Sequence, residues 1–242
     1  ETDMKMNYLD IRKYSPIQDF RTRSIADLIC MSVSPFLSLF FIAKKVRPNS
    51  ITLLMILSGC VGAVLFALPW GIAKLAGIFF FYMWYILDCS DGEVARVTKC
   101  FSKYGKEFDY LAHLICHPLM NLALWISYIQ LDKYDSLLVS FCFITFISLE
   151  LVIRNYISFE TYLNEEGSVQ EVKKKNTLRY FLVQFCIYPN FILIFPIFFC
   201  LDYYMDIPSF AILCLFLFSF LLLVVIGSYK NCLLYTSDAA DE

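Results

Sequence analysis

Long apolar runs constrain the fold of this chain more than any other feature. Each of six runs is near or above the roughly 20 residues that a helix needs to cross a membrane. They cover Ile51–Trp70, Ile72–Val97, Gly105–Gln130, Ser136–Ser158, Leu178–Leu201 and Pro208–Tyr229. The chain is 59% hydrophobic and only 17% charged, which is not the balance of a soluble domain. The sequence therefore predicts an all-α integral membrane protein with six transmembrane helices.

The segment 1–46 is predicted to lie at the membrane surface. Residues 1–24 mix charged and aromatic side chains, as is typical of surface-bound helices. The run Leu28–Ala43 has 16 residues, and at about 1.5 Å per residue it falls short of a roughly 30 Å hydrocarbon core. It is predicted to be an interfacial or re-entrant helix, with a short additional crossing as the alternative.

The chain ends on a sequence of unusual character. The last residues, Cys232–Glu242, read CLLYTSDAADE and resemble the translation of a sequencing adapter. We expect this tail to be non-native, with an ordinary polar tail as the alternative, and we expect the start at Glu1 to be clipped. The membrane domain is accordingly predicted to span 47–231.

The basic residues predict an orientation. With six crossings, 18 of the 20 Lys and Arg residues fall on one side, including those of the 96–106 connection, and only Lys74 and Lys133 fall on the other. Because cytoplasmic loops are enriched in Lys and Arg, both termini and the 88–113 connection are predicted to be cytoplasmic.

The 88–113 connection carries charges where two apolar runs meet. An ionised group at the centre of a membrane helix costs about 2.5–3.5 kcal/mol, so several together indicate a cavity. At 100° per residue, one helix face carries Asp88, Asp91, Gly92, Ala95 and Arg96, whereas Glu93 lies off that face and is predicted to be solvated. On the next helix, four-residue steps align Asp109, His113 and His117.

Three converging carboxylates repel one another unless a cation lies between them. Oxygen ligands favour Mg²⁺ or Mn²⁺. The missing or small side chains of Gly92 and Ala95 leave room for a phosphate, for which Arg96 supplies a positive fork. These features indicate phosphoryl or phosphodiester transfer, with a buried ion-pair network that only sets helix register as the alternative.

The motif Asp88-x-x-Asp91-Gly92-x-x-Ala95-Arg96, eight residues, Gly105-x-x-x-Asp109-x-x-x-His113 resembles the signature of the CDP-alcohol phosphotransferases, the CDP-alcohol phosphatidyltransferase family. The segment Arg47–Thr52 also resembles the start of that family's first helix. The resemblance implies two metal ions held by Asp88, Asp91 and Asp109, and a CDP-binding face; to that face we assign Asn49, Gly92, Ala95, Arg96 and Gly105.

His113 departs from the family signature, which has an aspartate regarded as the catalytic base at this position. Histidine, with an unperturbed pKa near 6.5, can serve as that base. We expect His113 to be the base, with metal ligation or an impaired enzyme as alternatives. His117 is expected to be a core or cavity-wall residue.

The acceptor site is less well defined by the sequence. Glu150 and Arg154 are spaced as an i, i+4 ion pair on one helix. Alternatively, Arg154 and Arg179 hold a phosphorylated acceptor.

The resemblance implies transfer of a phosphatidyl or phospho-alcohol group from CDP-diacylglycerol or another CDP-alcohol to an alcohol, lipid or glycan acceptor, with release of CMP. We expect the protein to act in phospholipid or related glycan or lipid biosynthesis in a bacterial inner membrane. We expect it to contact membrane lipid and no nucleic acid, and a homodimer is a compatible assembly. A transporter or an inactive protein that keeps the fold is the alternative.

Overall fold

We describe the protein from a computed structural model over residues 6–15, 23–164, 184 and 187–238, with side chains described to 155 in the sixth helix and to 222, with 225 and 226, in the last. Within these residues the chain forms eight helices and no strand. They are α1 (Tyr8–Tyr14), α2 (Ile25–Ala43), α3 (Pro48–Ala67), α4 (Gly71–Thr98), α5 (Gly105–Leu131), α6 (Ser136–Asn164), α7 (Tyr188–Met205) and α8 (Phe210–Asp238).

Six of these helices, α2 to α7, are long and apolar enough to cross a membrane, which confirms the prediction of an all-α multi-pass membrane protein. Helices α3 to α7 correspond to the first five predicted spans. Helix α8 corresponds to the sixth, and its stretch Phe210–Leu222 is apolar. The predicted span from Leu178 is described as helix only from Tyr188, since residues 178–183, 185 and 186 lie outside the described residues.

Helix α2 begins earlier than predicted, at Ile25, and its 19 residues qualify it for a crossing by length and composition. Its side chains, however, meet only half of α4. The Tyr85 hydroxyl donates to Asp27 (2.5 Å), whereas the Ser38 hydroxyl donates to Glu93 (2.7 Å). The two helices therefore run in the same direction, and α2 starts beside the middle of α4. The start of α2 beside the middle of α4 agrees with the re-entrant prediction, whereas its length agrees with the additional crossing.

Helices α3, α4 and α5 form the antiparallel centre of the bundle. A Cβ atom added to Gly59 would lie 2.7 Å from Cys116 Sγ on α5, and one added to Gly62 would lie 2.9 Å from the Phe81 ring on α4. On the same helix, the Ser58 hydroxyl donates to the Phe80 carbonyl of α4 (2.9 Å). These small residues let α3 lie close to both helices, because larger side chains would force the helices apart.

Two lysines hold together the end of the bundle that lies away from the 88–113 connection, here called the far end. Lys74 is buried, and its Nζ donates to the Phe66 carbonyl (3.1 Å) and the Ser127 hydroxyl (2.9 Å). Lys133 Nζ donates to Asp202 (2.7 Å) and Asp206 (2.5 Å). These hydrogen bonds raise the pKa of Lys133. The two lysines that the sequence assigned to one side do lie at one end.

The prediction that Glu93 is solvated is wrong. Its side chain is buried, and its two oxygens accept hydrogen bonds from the hydroxyls of Ser34 (2.8 Å) and Ser38 (2.7 Å). Arg12 Nη1 lies 3.6 Å from Glu93 Oε1. The helical angle correctly turned Glu93 away from Asp88, but it could not show that α1 and α2 cover that face of α4.

We predict that Ser34→Ala and Ser38→Ala each destabilise the protein, because each leaves one oxygen of a buried carboxylate without its donor, at a cost of about 1–3 kcal/mol. Thermal unfolding in detergent micelles measures the loss. Ser32→Ala is the matched control, since that hydroxyl is on an exposed residue of the same helix and donates only to the Leu28 carbonyl one turn back. Equal losses for all three variants would contradict the docking role.

Candidate active site

The last turns of α4 and the first turns of α5 bring three predicted site residues together. His113 Nε2 lies 3.1 Å from Asp88 Oδ1 and 3.7 Å from Asp109 Oδ1. One ligand atom from each of these residues can be chosen so that all three lie within 4.8 Å of one another. Both helices pack against α3, and because α4 and α5 run antiparallel, the end of α4 faces the beginning of α5.

Asp91 lies one turn further along α4 and is held by a different helix. Its Oδ2 accepts a hydrogen bond of 2.7 Å from the hydroxyl of Thr52, in the first turns of α3. Asp91 is not part of the three-residue cluster around His113. The fourth predicted metal ligand thus lies next to the cluster, and α3 fixes its orientation.

The cluster has the chemistry that a divalent cation requires. The ligand atoms are carboxylate oxygens, which suit Mg²⁺ or Mn²⁺, and one imidazole nitrogen, a ligand more typical of transition metals. Asp109 Oδ1 is buried and has no hydrogen-bond partner, so the site contains a buried acceptor that the described residues leave unsatisfied. Buried acceptors of this kind are rare without a ligand, ion or water. The donor set and the orphaned oxygen both fit a metal ion.

Arg96 folds back along α4 over the position that has no side chain. A Cβ atom added to Gly92 would lie 3.1 Å from Arg96 Nη1, which is tighter than ordinary contact. The guanidinium also donates to the Ser15 hydroxyl at the end of α1, from Nε (3.1 Å) and Nη2 (2.7 Å). Ala95, between them on the helix, is half-buried. Gly92 thus makes room for the guanidinium as well as for a ligand.

Asn49 and Gly105 flank the connection between α4 and α5. Asn49 Oδ1 accepts a hydrogen bond of 3.2 Å from the Ser102 hydroxyl. A Cβ atom on Gly105, the first residue of α5, would lie 2.9 Å from the same hydroxyl oxygen. Ser102 therefore ties the start of α3 to the start of α5. The described geometry places both predicted nucleotide residues at the rim of the site.

The inner wall of the site consists of His117, Glu150 and Arg154. His117 is fully enclosed, as expected for a core residue, and its Nδ1 lies 2.9 Å from Glu150 Oε1. Arg154 Nε donates to the same Glu150 oxygen (2.9 Å), so the i, i+4 ion pair is present. Its proposed partner Arg179 lies outside the described residues.

Sequence reasoning missed two residues at this site. Ser15 meets Arg96 across 81 positions of the chain, and no pattern in the sequence links them. Ser102 stands in the polar connection that precedes Gly105, where its hydroxyl could not be distinguished from a solvated one. Thr52 belonged to the segment that resembles the family's first helix, so a signal for it was available.

Comparison with known families gives one match. The model of the family described as CDP-alcohol phosphatidyltransferase matches residues 45–226 of the chain. The matched region begins just before α3 and includes both helices that carry the cluster. Comparison with curated proteins gives no significant match.

We predict that Asp88→Asn and Asp109→Asn each weaken Mn²⁺ binding by about tenfold or more, because the number of charged ligands sets the affinity of such sites. Calorimetric titration of the purified protein measures the dissociation constant. Asp132→Asn serves as the control, since Asp132 caps the opposite end of α5 with φ of 50°, a conformation that asparagine tolerates. Unchanged Mn²⁺ affinity in Asp109→Asn would exclude this site.

Proposed function

Because this chain belongs to the CDP-alcohol phosphatidyltransferase family, we propose that it transfers a phosphatidyl or phospho-alcohol group from a CDP-linked donor to the hydroxyl of an acceptor, releasing CMP. The observation that carries this proposal is the convergence of Asp88, Asp109 and His113 on one point. A carboxylate cluster beside a nitrogen base and an arginine is what such a transfer requires.

Asp88, Asp91 and Asp109 would hold Mg²⁺ or Mn²⁺, and we propose two ions. Bound there, the metal would neutralise the charge of the CDP diphosphate and make its phosphorus more electrophilic. The residues contribute orientation: Thr52 fixes Asp91, and the orphaned Oδ1 of Asp109 is directed into the cluster. The sequence motif and the donor set both support this assignment.

Arg96 would bind a phosphate of the donor. Among the described residues, its guanidinium is held only by a neutral hydroxyl, that of Ser15, and a phosphate oxygen is a stronger acceptor than a hydroxyl. Donor binding would therefore displace or extend this contact. Gly92 and Ala95 would let the donor approach the backbone of α4, and Asn49 and Gly105 would line the rim toward the nucleotide.

His113 would act as the base. Its Nε2 faces Asp88 and Asp109, where an acceptor hydroxyl would meet the donor. Nε2 would take the hydroxyl proton as the new oxygen–phosphorus bond forms and the bond from phosphorus to the CMP oxygen breaks. A histidine suits this step near neutral pH. Ligation of metal through the same nitrogen is the competing role.

The orientation of the site and the class of its substrates are inferred from the distribution of basic residues and from the partner of Arg154. The distribution of Lys and Arg supports a cytoplasmic site, and we propose a bacterial inner membrane as its location. Arg154 already pairs with Glu150, which favours an unphosphorylated alcohol, lipid or glycan acceptor over a phosphorylated one. CDP-diacylglycerol and smaller CDP-alcohols both remain as donors, and a homodimer is compatible with the proposal.

We predict that His113→Ala lowers the rate of CMP release by about 100-fold or more, the usual contribution of a general base. His113→Asp, which restores the carboxylate of the family signature, should retain more activity than His113→Ala. Purified protein with Mg²⁺ and a panel of CDP-linked donors, assayed for CMP by mass spectrometry, provides the measurement. Near wild-type turnover of His113→Ala would refute the base assignment, and a wild-type protein that releases no CMP from any donor would refute the function.

We predict that Arg96→Lys raises the KM for the CDP-linked donor by about tenfold, since a lysine provides a point charge but not the two-pronged fork that matches a phosphate. Lys103→Gln is the control for net charge, because Lys103 is an exposed residue of the same connection whose ammonium lies over the Tyr104 ring (5.2 Å). An unchanged KM in Arg96→Lys together with a raised KM in Lys103→Gln would mean that Arg96 contributes only its charge to the general field.

A further inference from the structure

A chain of hydrogen bonds runs from His113 into the protein interior. His113 Nδ1, the nitrogen that faces away from Asp88, lies 3.2 Å from His117 Nε2. His117 Nδ1 in turn lies 2.9 Å from Glu150 Oε1. His117 and Glu150 are 1% and 2% exposed. The candidate base is therefore linked to a carboxylate that no substrate can reach.

Two groups make opposite demands on one atom of this chain. Glu150, as a carboxylate, can only accept a hydrogen bond from His117 Nδ1. Arg154 can only donate, and its Nη2 lies 2.6 Å from the same Nδ1. A ring nitrogen of neutral histidine either carries a proton or accepts one, so only one of the two demands can be met at a time.

The outcome at His117 determines what His113 presents to the site. If Nδ1 of His117 donates to Glu150, its Nε2 accepts from His113 Nδ1, and Nε2 of His113 carries a lone pair toward Asp88 and Asp109. If Nδ1 of His117 accepts from Arg154, the proton of each ring lies on Nε2. His117 Nε2 then donates to His113 Nδ1, and His113 presents an N–H to the cluster. Only the first arrangement provides a base or a metal ligand. Asp88 Oδ1 lies 3.1 Å from His113 Nε2 and can accept a hydrogen bond only in the second arrangement, so the first would hold when a cation or an acceptor hydroxyl lies between Nε2 and the carboxylates.

We propose that Glu150, acting through His117, fixes the tautomer of His113 so that Nε2 presents its lone pair to the Asp88–Asp109 cluster. This inference rests on the function proposed above, and it makes Glu150 and His117 positioning residues. The two hydrogen bonds that compete at His117 Nδ1, to Glu150 and from Arg154, are both charge-assisted, and Arg154 keeps its Nε hydrogen bond to Glu150 in either arrangement. Among the described residues, Glu150 Oε2 has no hydrogen-bond partner.

Packing holds the two rings in the required orientation. The His117 ring stacks on Tyr188 with centroids 4.0 Å apart. Trp84 contacts both imidazoles edge to face, at 5.4 Å from His113 and 5.2 Å from His117. The rings therefore cannot turn away, and the position of the protons is the remaining variable.

The tautomers can be read directly, because the chain contains only two histidines. Full-length protein labelled with ¹⁵N-histidine, in micelles with Mg²⁺, should show a protonated Nδ1 and a bare Nε2 in both rings by NMR. In Glu150→Leu, Arg154 is the only partner left at His117 Nδ1, and both rings should switch to a protonated Nε2. Glu150→Gln, which can keep an oxygen beside Nδ1, should retain the wild-type pattern. Unchanged tautomers in Glu150→Leu would overturn the proposal, whether or not the protein releases CMP.

The kinetic arm separates positioning from folding. Glu150→Leu should lower kcat for CMP release by about tenfold or more, a part of the contribution of a general base, with little change in the KM of the donor. Glu150→Gln should stay near the wild type. His117→Phe keeps an aromatic ring on Tyr188 and leaves the Glu150–Arg154 pair intact, so it serves if Glu150→Leu does not fold, and its kcat should fall likewise. Because His117→Phe leaves His113 as the one histidine of the chain, its NMR spectrum also identifies the ¹⁵N signals of His113.

Tyr188→Phe is the matched control in the same buried cluster. It keeps the stacking on His117 and removes a hydroxyl that donates to the Asn121 side chain (3.0 Å) and to the His117 backbone carbonyl (3.3 Å), but to neither imidazole nitrogen. Its tautomers and kcat should match the wild type. Equal kcat values for Glu150→Gln and Glu150→Leu, or for His117→Phe and the wild type, would contradict the positioning role.

Discussion

Ionised side chains inside an apolar bundle must find partners, and this requirement organises the end of the protein that carries the 88–113 connection. Each carboxylate of the motif helix meets a partner from another helix: Asp88 from α5, Asp91 from α3 and Glu93 from α2. The partners come from separate segments because α4 is surrounded at this end. The packing of this end of the bundle and the formation of the site are therefore linked, since α2, α3 and α5 each provide a partner for one carboxylate of α4.

The two N-terminal helices complete the site from outside the region that the family model matches. That region begins at residue 45, whereas α1 and α2 end at Tyr14 and Ala43. Through Ser15, α1 holds the guanidinium of Arg96, and through its serines α2 holds Glu93. The N-terminal segment therefore shapes the charged face of α4. Without α2, Glu93 would lack its hydrogen-bond donors.

The sequence predicted what depends on local pattern. Helical spacing correctly placed Asp88 near Asp109 and His113, because two antiparallel helices joined by a short connection have few ways to pack. The prediction that Glu93 is solvated was wrong because burial depends on which distant segment covers a helix face. Neither helical angle nor composition encodes that choice. The contact of His117 with Glu150 could likewise not be predicted from the sequence, since it joins α5 to α6 across 33 positions.

The two ends of the bundle differ in how completely their polar atoms are paired. At the far end, Lys74 has three hydrogen-bond acceptors within reach, and Asp202 accepts from Lys133, Tyr134 and Ser209. The buried side-chain nitrogen and oxygen atoms that lack a partner, among the described residues, belong to Arg12, Trp84, Asp109, Asn121 and Glu150. These residues all lie in or beside the region around Asp88, Glu93 and His117. A buried polar atom without a partner costs stability, so a fold maintained for packing alone would not concentrate such atoms at one end. A site that receives charged and polar ligands accounts for the asymmetry, because its groups find their remaining partners in what they bind.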